Sequence, residues 1–311
     1  MTETERLPAP VLDEDELRVA VGFATDPGGR ADNEDAVYVG EFPVSGASAG
    51  EQTGWLLAVA DGMGGHEGGE IASKIAIDTL KDVLAAGSSS DAETAQLLKQ
   101  AFRRANEKIF SQGQGQPDEA GMGTTLVAAA TRGKYATIAN VGDSRAYLIR
   151  ANRLTQITKD HSLVAQQITE GSLSAALARK SAQRNILTHA LGQKERLDSK
   201  LPGIFEITLL PDDRLLLCSD GFYDVASDDD LINTLLDTKP EVAAPSLVAL
   251  AKVRGTSDNV TAVVASVRAA KVREPVLIGA EDVPSSPLTP ILVAVAAIAI
   301  FAIIAAVYFL L

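Results

Sequence analysis

The chain is poor in the residues that most often carry zinc, redox or disulfide chemistry. Its 311 residues include one cysteine, Cys218, so no disulfide can close within the chain and no thiolate cluster can hold a metal, which suits a reducing compartment. The residue six positions beyond Cys218 is Asp224, so a cysteine-phosphatase loop is absent, and Cys218 reads as a small core residue. Histidine is nearly as scarce. Only His66, His161 and His189 occur, with no His-Glu-x-x-His spacing, and a histidine zinc site would need almost all of them. Positive charge is short as well: 28 Lys and Arg stand against 41 Asp and Glu, a formal net charge of −13, which disfavours nucleic acid as a partner. The N-terminus lacks the apolar stretch of a signal peptide.

What is present is organised around Asp61-Gly62-Met63-Gly64-Gly65-His66. The apolar run Trp55 to Ala60 reads as a buried strand that ends on a carboxylate beside nearly bare backbone. Asp61 offers carboxylate oxygens and Gly62 an unobstructed carbonyl, the oxygen-rich setting that hard ions such as Mg2+ or Mn2+ prefer. Taken alone, the stretch fits equally well a tight strand-to-helix turn capped by Asp.

Along the chain, residues 1–16 hold an acidic cluster, Asp13-Glu14-Asp15-Glu16, without apolar period, and read as a mobile arm. Strands are expected at Leu17 to Ala24, Ala36 to Val39 and the Trp55 run, with 43–53 as a hairpin loop. Helical spacing covers Glu70 to Leu84 and Ala92 to Phe110. Hairpins are expected from Thr124 to Ala139 and from Ala146 to Thr158. Residues 160–200 are less regular, with a short helix from Ser162 to Thr169, and read as a flap. Ile204 to Leu209 and Leu215 to Cys218 flank the turn Pro211 to Arg214. Ser227 is a suitable N-cap for a helix from Asp228 to Leu236, a further helix covers Glu241 to Lys252, and Val260 to Val267 closes the domain. Helix pairs interrupting antiparallel strands imply an α+β fold, two packed and mainly antiparallel sheets flanked by helices.

Beyond this domain, 17–268, lies a linker, 269–290, containing four prolines, and then Ile291 to Leu311, twenty-one residues without charge, Gly or Pro. At about 1.5 Å per residue this run spans about 31 Å, matching a hydrocarbon core of about 30 Å, so a single transmembrane helix is expected at 291–311. Arg268, Lys271 and Arg273 precede it, and the positive-inside tendency places the domain in the cytoplasm.

Four carboxylates occupy equivalent settings at expected strand ends: Asp35 before a strand, Asp61 and Asp220 after apolar strands and before a Gly, and Asp258 before the last strand. Their convergence without cations would be strongly repulsive and would imply bound divalent metal, two ions being the simplest count. The alternative treats each as an isolated turn aspartate.

At this point the residues resemble a family. Arg30 to Asp35, Asp61 to His66, Gly123-Thr124-Thr125, Gly142-Asp143-Ser144-Arg145, Asp160-His161-Ser162, Leu187 to Gly192, Ser219-Asp220-Gly221 and Ser257 to Thr261 follow the order of metal-dependent serine/threonine protein phosphatases of the type 2C (PPM) family in its bacterial style. The resemblance covers about 17–268. It implies a sandwich with a two-metal site at one edge, loaded with Mn2+ or Mg2+. Asp61 would bridge both ions, Gly62 would give its carbonyl to one, Asp220 and Asp258 would hold the other, Asp35 would lie in the same shell, and Asp143 would serve a third, weaker ion. Arg30 would clamp the phosphate bidentately. Two departures matter: Met63 stands where animal members place a His, and Lys180-Ser181-Ala182-Gln183 replace the His-Pro of many bacterial flaps. His161 and His189 read as structural hydrogen-bonding residues.

The implied function is hydrolysis of phosphoserine and phosphothreonine in proteins by a membrane-tethered enzyme, with phosphorylated proteins and a cognate Ser/Thr kinase as partners. A second reading is a catalytically weak sensor or scaffold of the same fold. A third is a hydrolase of small phosphate esters, which a substrate panel would separate.

Overall fold

Period-two alternation decides which face of each strand meets which layer. In the strand that carries the organising motif, Leu57 and Val59 face one cluster of buried residues while Leu56, Ala58 and Ala60 face another. The same switch recurs near the C-terminal end of the domain, where Val263, Ala265 and Val267 join the first cluster and Ala262 and Val264 join a third. A strand apolar on both faces needs cover on both, and the chain supplies it as a four-layer arrangement.

The computed structural model describes residues 17–44, 53–64, 67–115, 121–178 and 181–269, all within one compact unit. One sheet has the strand order β1 (Leu17–Asp26), β11 (Val260–Ala269), β10 (Arg214–Cys218), β7 (Arg145–Arg150), β8 (Arg153–Gln156). The other runs β2 (Asp35–Pro43), β3 (Thr53–Met63), β5 (Leu126–Arg132), β6 (Tyr135–Val141), β9 (Gly203–Thr208), with the two-residue β4 (Gly123–Thr124) pairing the end of β3. The registers within both sheets are antiparallel.

Between the sheets lie Leu57, Val59, Val127, Ile138, Leu215, Leu217 and Val263, all fully buried. Helices α1 (Gly68–Leu84) and α2 (Asp91–Gly115) cover the second sheet through Leu80, Leu84, Leu98, Phe102 and Ile109. Helices α5 (Asp220–Tyr223), α6 (Asp228–Leu235) and α7 (Pro240–Val253) cover the first through Phe222, Leu231, Leu235 and Leu247. The expected α-β-β-α sandwich is therefore the fold. Ser227 caps α6 as expected, and Asp230 completes a reciprocal capping box. Cys218 is buried, and desolvation pushes its thiol up to about 12.

One local expectation changes, and one connection is resolved. The strand bearing the motif does not stop at Ala60; β4 pairs Gly62 with Thr124 and Met63 with Gly123, so Asp61 lies within extended backbone rather than at a strand-to-helix turn. The strands on either side of the Pro211 turn belong to different sheets. The turn is fixed for that crossing by Asp213, 1% exposed, which takes two bonds from Arg150 (2.8 and 2.6 Å) and one from the Leu210 amide (2.7 Å). In the flap stretch, α3 (Leu163–Thr169) starts at the Ser162 cap and α4 (Ala175–Ala178) follows. The arm at 1–16, the 269–290 linker beyond Ala269, the 291–311 segment and His66 lie outside the described residues. Among the described residues no helix is long and apolar enough to cross a membrane.

Candidate metal centre

Antiparallel pairing brings the start of one strand beside the end of the next, so one end of the sandwich collects residues distant in sequence. Asp35 opens β2 directly opposite Asp61 near the end of β3. Like charges placed so are destabilising. At the same end of the other sheet, β10 finishes at Cys218 and leads into Asp220 at the start of α5, while Asp258 precedes β11. Asp143 sits between β6 and β7.

The electrostatics show that these groups share one space. Burial first, and then the charges of Asp35, Asp220, Asp143 and Asp258, hold the Asp61 carboxyl well above the usual carboxylate range. Asp220 is held high by burial and by Asp143, Asp258, Asp224 and Asp35. Burial raises Asp35 to about 6 against hydrogen bonds from Thr261 and Ser219, and burial with the Asp160 charge raises Asp143 to about 7. Among the described residues, no three His, Cys, Asp or Glu are closed around a common point. One oxygen of each of two carboxylates is engaged by a neighbour: Asp35 Oδ2 accepts from Ser219 Oγ (2.8 Å), and Asp258 Oδ2 accepts from Arg30 (2.9 Å). Asp35 Oδ1 and Asp220 Oδ1 are buried without a partner. Orphaned, mutually repelling carboxylate oxygens in one pocket suit hard divalent cations, and the residues present fit a metal centre.

Backbone geometry around the carboxylates is tightly specified. A Cβ on Gly62 would lie 2.1 Å from the Gly69 carbonyl and 2.6 Å from that of Glu34, so only glycine allows α1 and the 27–34 segment to close on β3. Thr125 ties the motif to its neighbour: its hydroxyl accepts from the Asp61 amide (3.0 Å) and bonds Ser144 Oγ (2.7 Å), beside Asp143.

Arg30 is exposed and reaches this end of the molecule, its guanidinium on Asp258 and on the Ser257 carbonyl (3.3 Å). Its loop is held by Asn259. The Asn259 amide donates to the carbonyls of Pro27 (3.0 Å) and Asp32 (2.8 Å) and accepts from the Glu34 amide (2.9 Å). Gly28, at φ +59°, admits no side chain because a Cβ would fall 2.0 Å from the Asp258 carbonyl. The arginine and one carboxylate are thus held by the same short stretch, 257–259.

Sequence reasoning assigned no role to the next layer of residues. Arg145 makes a bidentate pair with Asp160 (Nε 3.1 Å, Nη2 2.7 Å), donates to Tyr147 Oη (3.0 Å) and lies 3.6 Å over the Tyr223 ring. The Tyr223 hydroxyl donates to the Asp143 carbonyl (3.1 Å), so this network links the Asp143 turn to the helix that begins at Asp220. The sequence signal was present in the matching Gly142 to Arg145 stretch, but an arginine that close to an acidic motif gives no sign of which aromatic it stacks on. His161 Nδ1 accepts from the Gly142 amide (3.0 Å), and the His161 and His189 rings stand edge to face with centroids 5.7 Å apart. Burial, with the His189 charge, pulls His161 down to about 4, which keeps it neutral.

Comparison with known proteins agrees with this geometry. The serine/threonine protein phosphatase PstP of Mycobacterium tuberculosis is 38% identical over 241 residues, 76% of this chain, and the match spans 43% of that relative's length. The serine/threonine phosphatase stp of Listeria monocytogenes is 35% identical over 212 residues, 66% of this chain and 82% of its own. The crystal structure of the PstP catalytic domain in complex with two manganese ions superposes with a TM-score of 0.69 at 36% identity, covering 81% of this chain and 99% of that one. Residues 42–261 match the family model described as protein phosphatase 2C, and with the four-layer sandwich and its carboxylate end this establishes that the chain belongs to the protein phosphatase 2C family.

Proposed function

We propose that this chain is a membrane-tethered serine/threonine protein phosphatase that uses two divalent ions, Mn2+ or Mg2+, to hydrolyse phosphoserine and phosphothreonine. The observation that carries the reading is the set of buried, mutually repelling carboxylates with orphaned oxygens on Asp35 and Asp220. Asp61, the Gly62 carbonyl, Asp35, Asp220 and Asp258 would hold the two ions, and Asp143 a third, weaker one. When bound, such ions supply Lewis-acid charge, lowering the pKa of water toward neutrality and offsetting charge on phosphoryl oxygens. Arg30 receives the phosphate with its planar fork. Ser219 and Thr125 fix the orientation of Asp35 and the Asp61 backbone, and Asn259 holds the loop from which Arg30 projects.

A binding module of the same fold has no use for carboxylates that repel each other and cost stability, which favours the enzyme over the sensor. Phosphopeptide hydrolysis with Mn2+, with Mg2+ and after chelation tests the reading directly; turnover that survives chelation would remove the metal-dependent mechanism. Arg30→Ala is expected to raise KM about tenfold with a smaller change in kcat, and Asn259→Ala to move KM in the same direction by less, because its arginine remains but its loop is loosened. A kcat loss with KM unchanged in both variants would place Arg30 outside phosphate anchoring.

The tether rests on sequence alone: a catalytic unit at 17–268, a proline-broken linker at 269–290 and an apolar run at 291–311, following an N-terminal arm at 1–16. On this reading the catalytic domain faces the cytoplasm and acts on phosphorylated proteins there, including a cognate kinase. A chain ending at Ala269 should be soluble and active, while the full chain should sediment with membranes and resist extraction by high salt, since an inserted helix is held by apolar burial rather than by screened charge. Protease added to sealed right-side-out cells should leave the domain intact. Full chain in the soluble fraction, or digestion from outside, would overturn the tether.

A further inference from the structure

The charge of this protein is unevenly spread, and five of its cations line two cavities along the same helix and the same loop. One cavity of about 180 Å³ is lined by Asn106, His189, Gln193, Lys194 and Arg196 among others, and another of about 230 Å³ by Lys99, Arg103 and Lys200 with Leu201, Pro202 and Ile204. Both lie between α2 and the 188–204 segment. Lys99, Arg103, Lys194, Arg196 and Lys200 are all exposed, and against them the two linings set only Asp198. In a chain of net charge −13 this is a localised positive groove.

The groove is built into the fold. Asn106, 1% exposed, pins the loop to the helix: its amide donates to the carbonyls of Lys194 (3.0 Å) and Glu195 (3.2 Å), and its oxygen accepts from the Gly192 amide (3.0 Å). One buried side chain therefore fixes the spacing between the cations of α2 and those of the loop. The groove also borders the strand that carries Asp61. Gln193, in its lining, contacts the Met63 sulfur (3.8 Å), and Met63 is two residues beyond Asp61 on the same strand.

We propose that this groove is a docking subsite for an acidic stretch of the phosphoprotein substrate, engaged while the phosphoresidue occupies the metal centre. The inference rests on the phosphatase reading above and adds to it a specificity that the centre itself does not supply. Along α2, Lys99 to Asn106 spans about 10 Å, the length of about three residues of extended peptide. A short run of Asp, Glu or further phosphoresidues matches that span and that charge, and an anionic segment gains from steering into a positive groove on an otherwise acidic surface.

The test compares two phosphothreonine peptides, one carrying a run of glutamates some residues away from the phosphothreonine and one with glutamines in their place, together with p-nitrophenyl phosphate. The variant is the triple charge reversal Lys99→Glu, Arg103→Glu, Lys200→Glu in the full chain, at exposed positions that leave the core alone. The variant should raise KM for the acidic peptide about tenfold, and raised salt should erase the wild-type preference for it. Hydrolysis of the glutamine peptide and of p-nitrophenyl phosphate should not change. Equal KM values for the two peptides in the wild type, or an unchanged KM for the acidic peptide in the variant, would overturn the subsite. Should neither peptide be hydrolysed, the phosphatase reading fails separately, and binding of the fluorescently labelled acidic peptide decides the groove: loss of binding in the variant supports it, and equal binding overturns it.

Discussion

Asp61→Asn and Asp220→Asn should each lower phosphopeptide hydrolysis about a thousandfold, equivalent to about 4 kcal/mol of barrier, while the metal-free protein stays folded and becomes no less stable to heat. The two halves of this outcome have one cause. Both carboxyls are buried among other carboxylates, and their ionised forms are disfavoured by desolvation and by repulsion from Asp35, Asp143 and Asp258. Replacing one with a neutral amide of similar shape removes repulsion from the empty centre but also removes the charge that would hold a cation. Added Mn2+ should therefore raise the melting temperature of the wild type clearly and that of either variant little. Undiminished hydrolysis in a folded variant would sink the metal-centre assignment. A variant that unfolds without metal would show instead that these side chains support the fold through contacts beyond those seen here.

How much of this could be read from sequence depended on the range of the interaction concerned. The layers were legible because strand alternation and helical spacing are local patterns, and Leu56 to Ala60 already shows a strand covered on both faces. The candidate residues were legible as a set because Asp35, Asp61, Asp220 and Asp258 each stand at or near a strand end. Their meeting was not, since the Asp35–Asp61 register joins residues through a hairpin whose pairing the composition does not fix. The extension of β3 past Asp61 depends on two residues of β4, too short a run to give a period. The crossing between sheets after Leu209 depends on a buried Asp213 held by the half-exposed Arg150, which reads in sequence as an ordinary polar turn. The supporting hydroxyls of Ser219 and Thr125 and the amide of Asn259 escaped for the same reason: such residues are common at turns, and only the fold shows what they touch.

Chelated free of divalent ions, the protein should melt at a higher temperature near pH 5 than near pH 7.5, the reverse of what is usual when native carboxylates are ion-paired. In the folded chain Asp35 ionises near 6 and Asp143 near 7, and Asp61 and Asp220 are also raised above 3.8, whereas the unfolded chain ionises all four near 3.8. Between those limits the native state binds more protons than the unfolded state, so stability falls as pH rises through the window from about 4 to about 7. His161 acts in the opposite sense. Its ring ionises near 4 in the fold against 6.5 in the open chain, so its contribution is lost as pH falls below about 6.5. One imidazole is outweighed by four carboxylates. The displacement of Asp35 alone, from 3.8 to about 6, corresponds to about 3 kcal/mol over the full range, of which about 1.4 kcal/mol falls between pH 5 and 7.5. A domain of this size shifts by about 2–4 °C per kcal/mol, so the difference between the two pH values should reach several degrees. Saturating Mn2+ should cancel or invert it, because the ion binds the deprotonated carboxylates and is held more tightly as pH rises. A metal-free melting temperature that is flat or rising from pH 5 to 7.5 would mean that the carboxylates at the end of the sandwich do not repel one another in solution as they do in this structure.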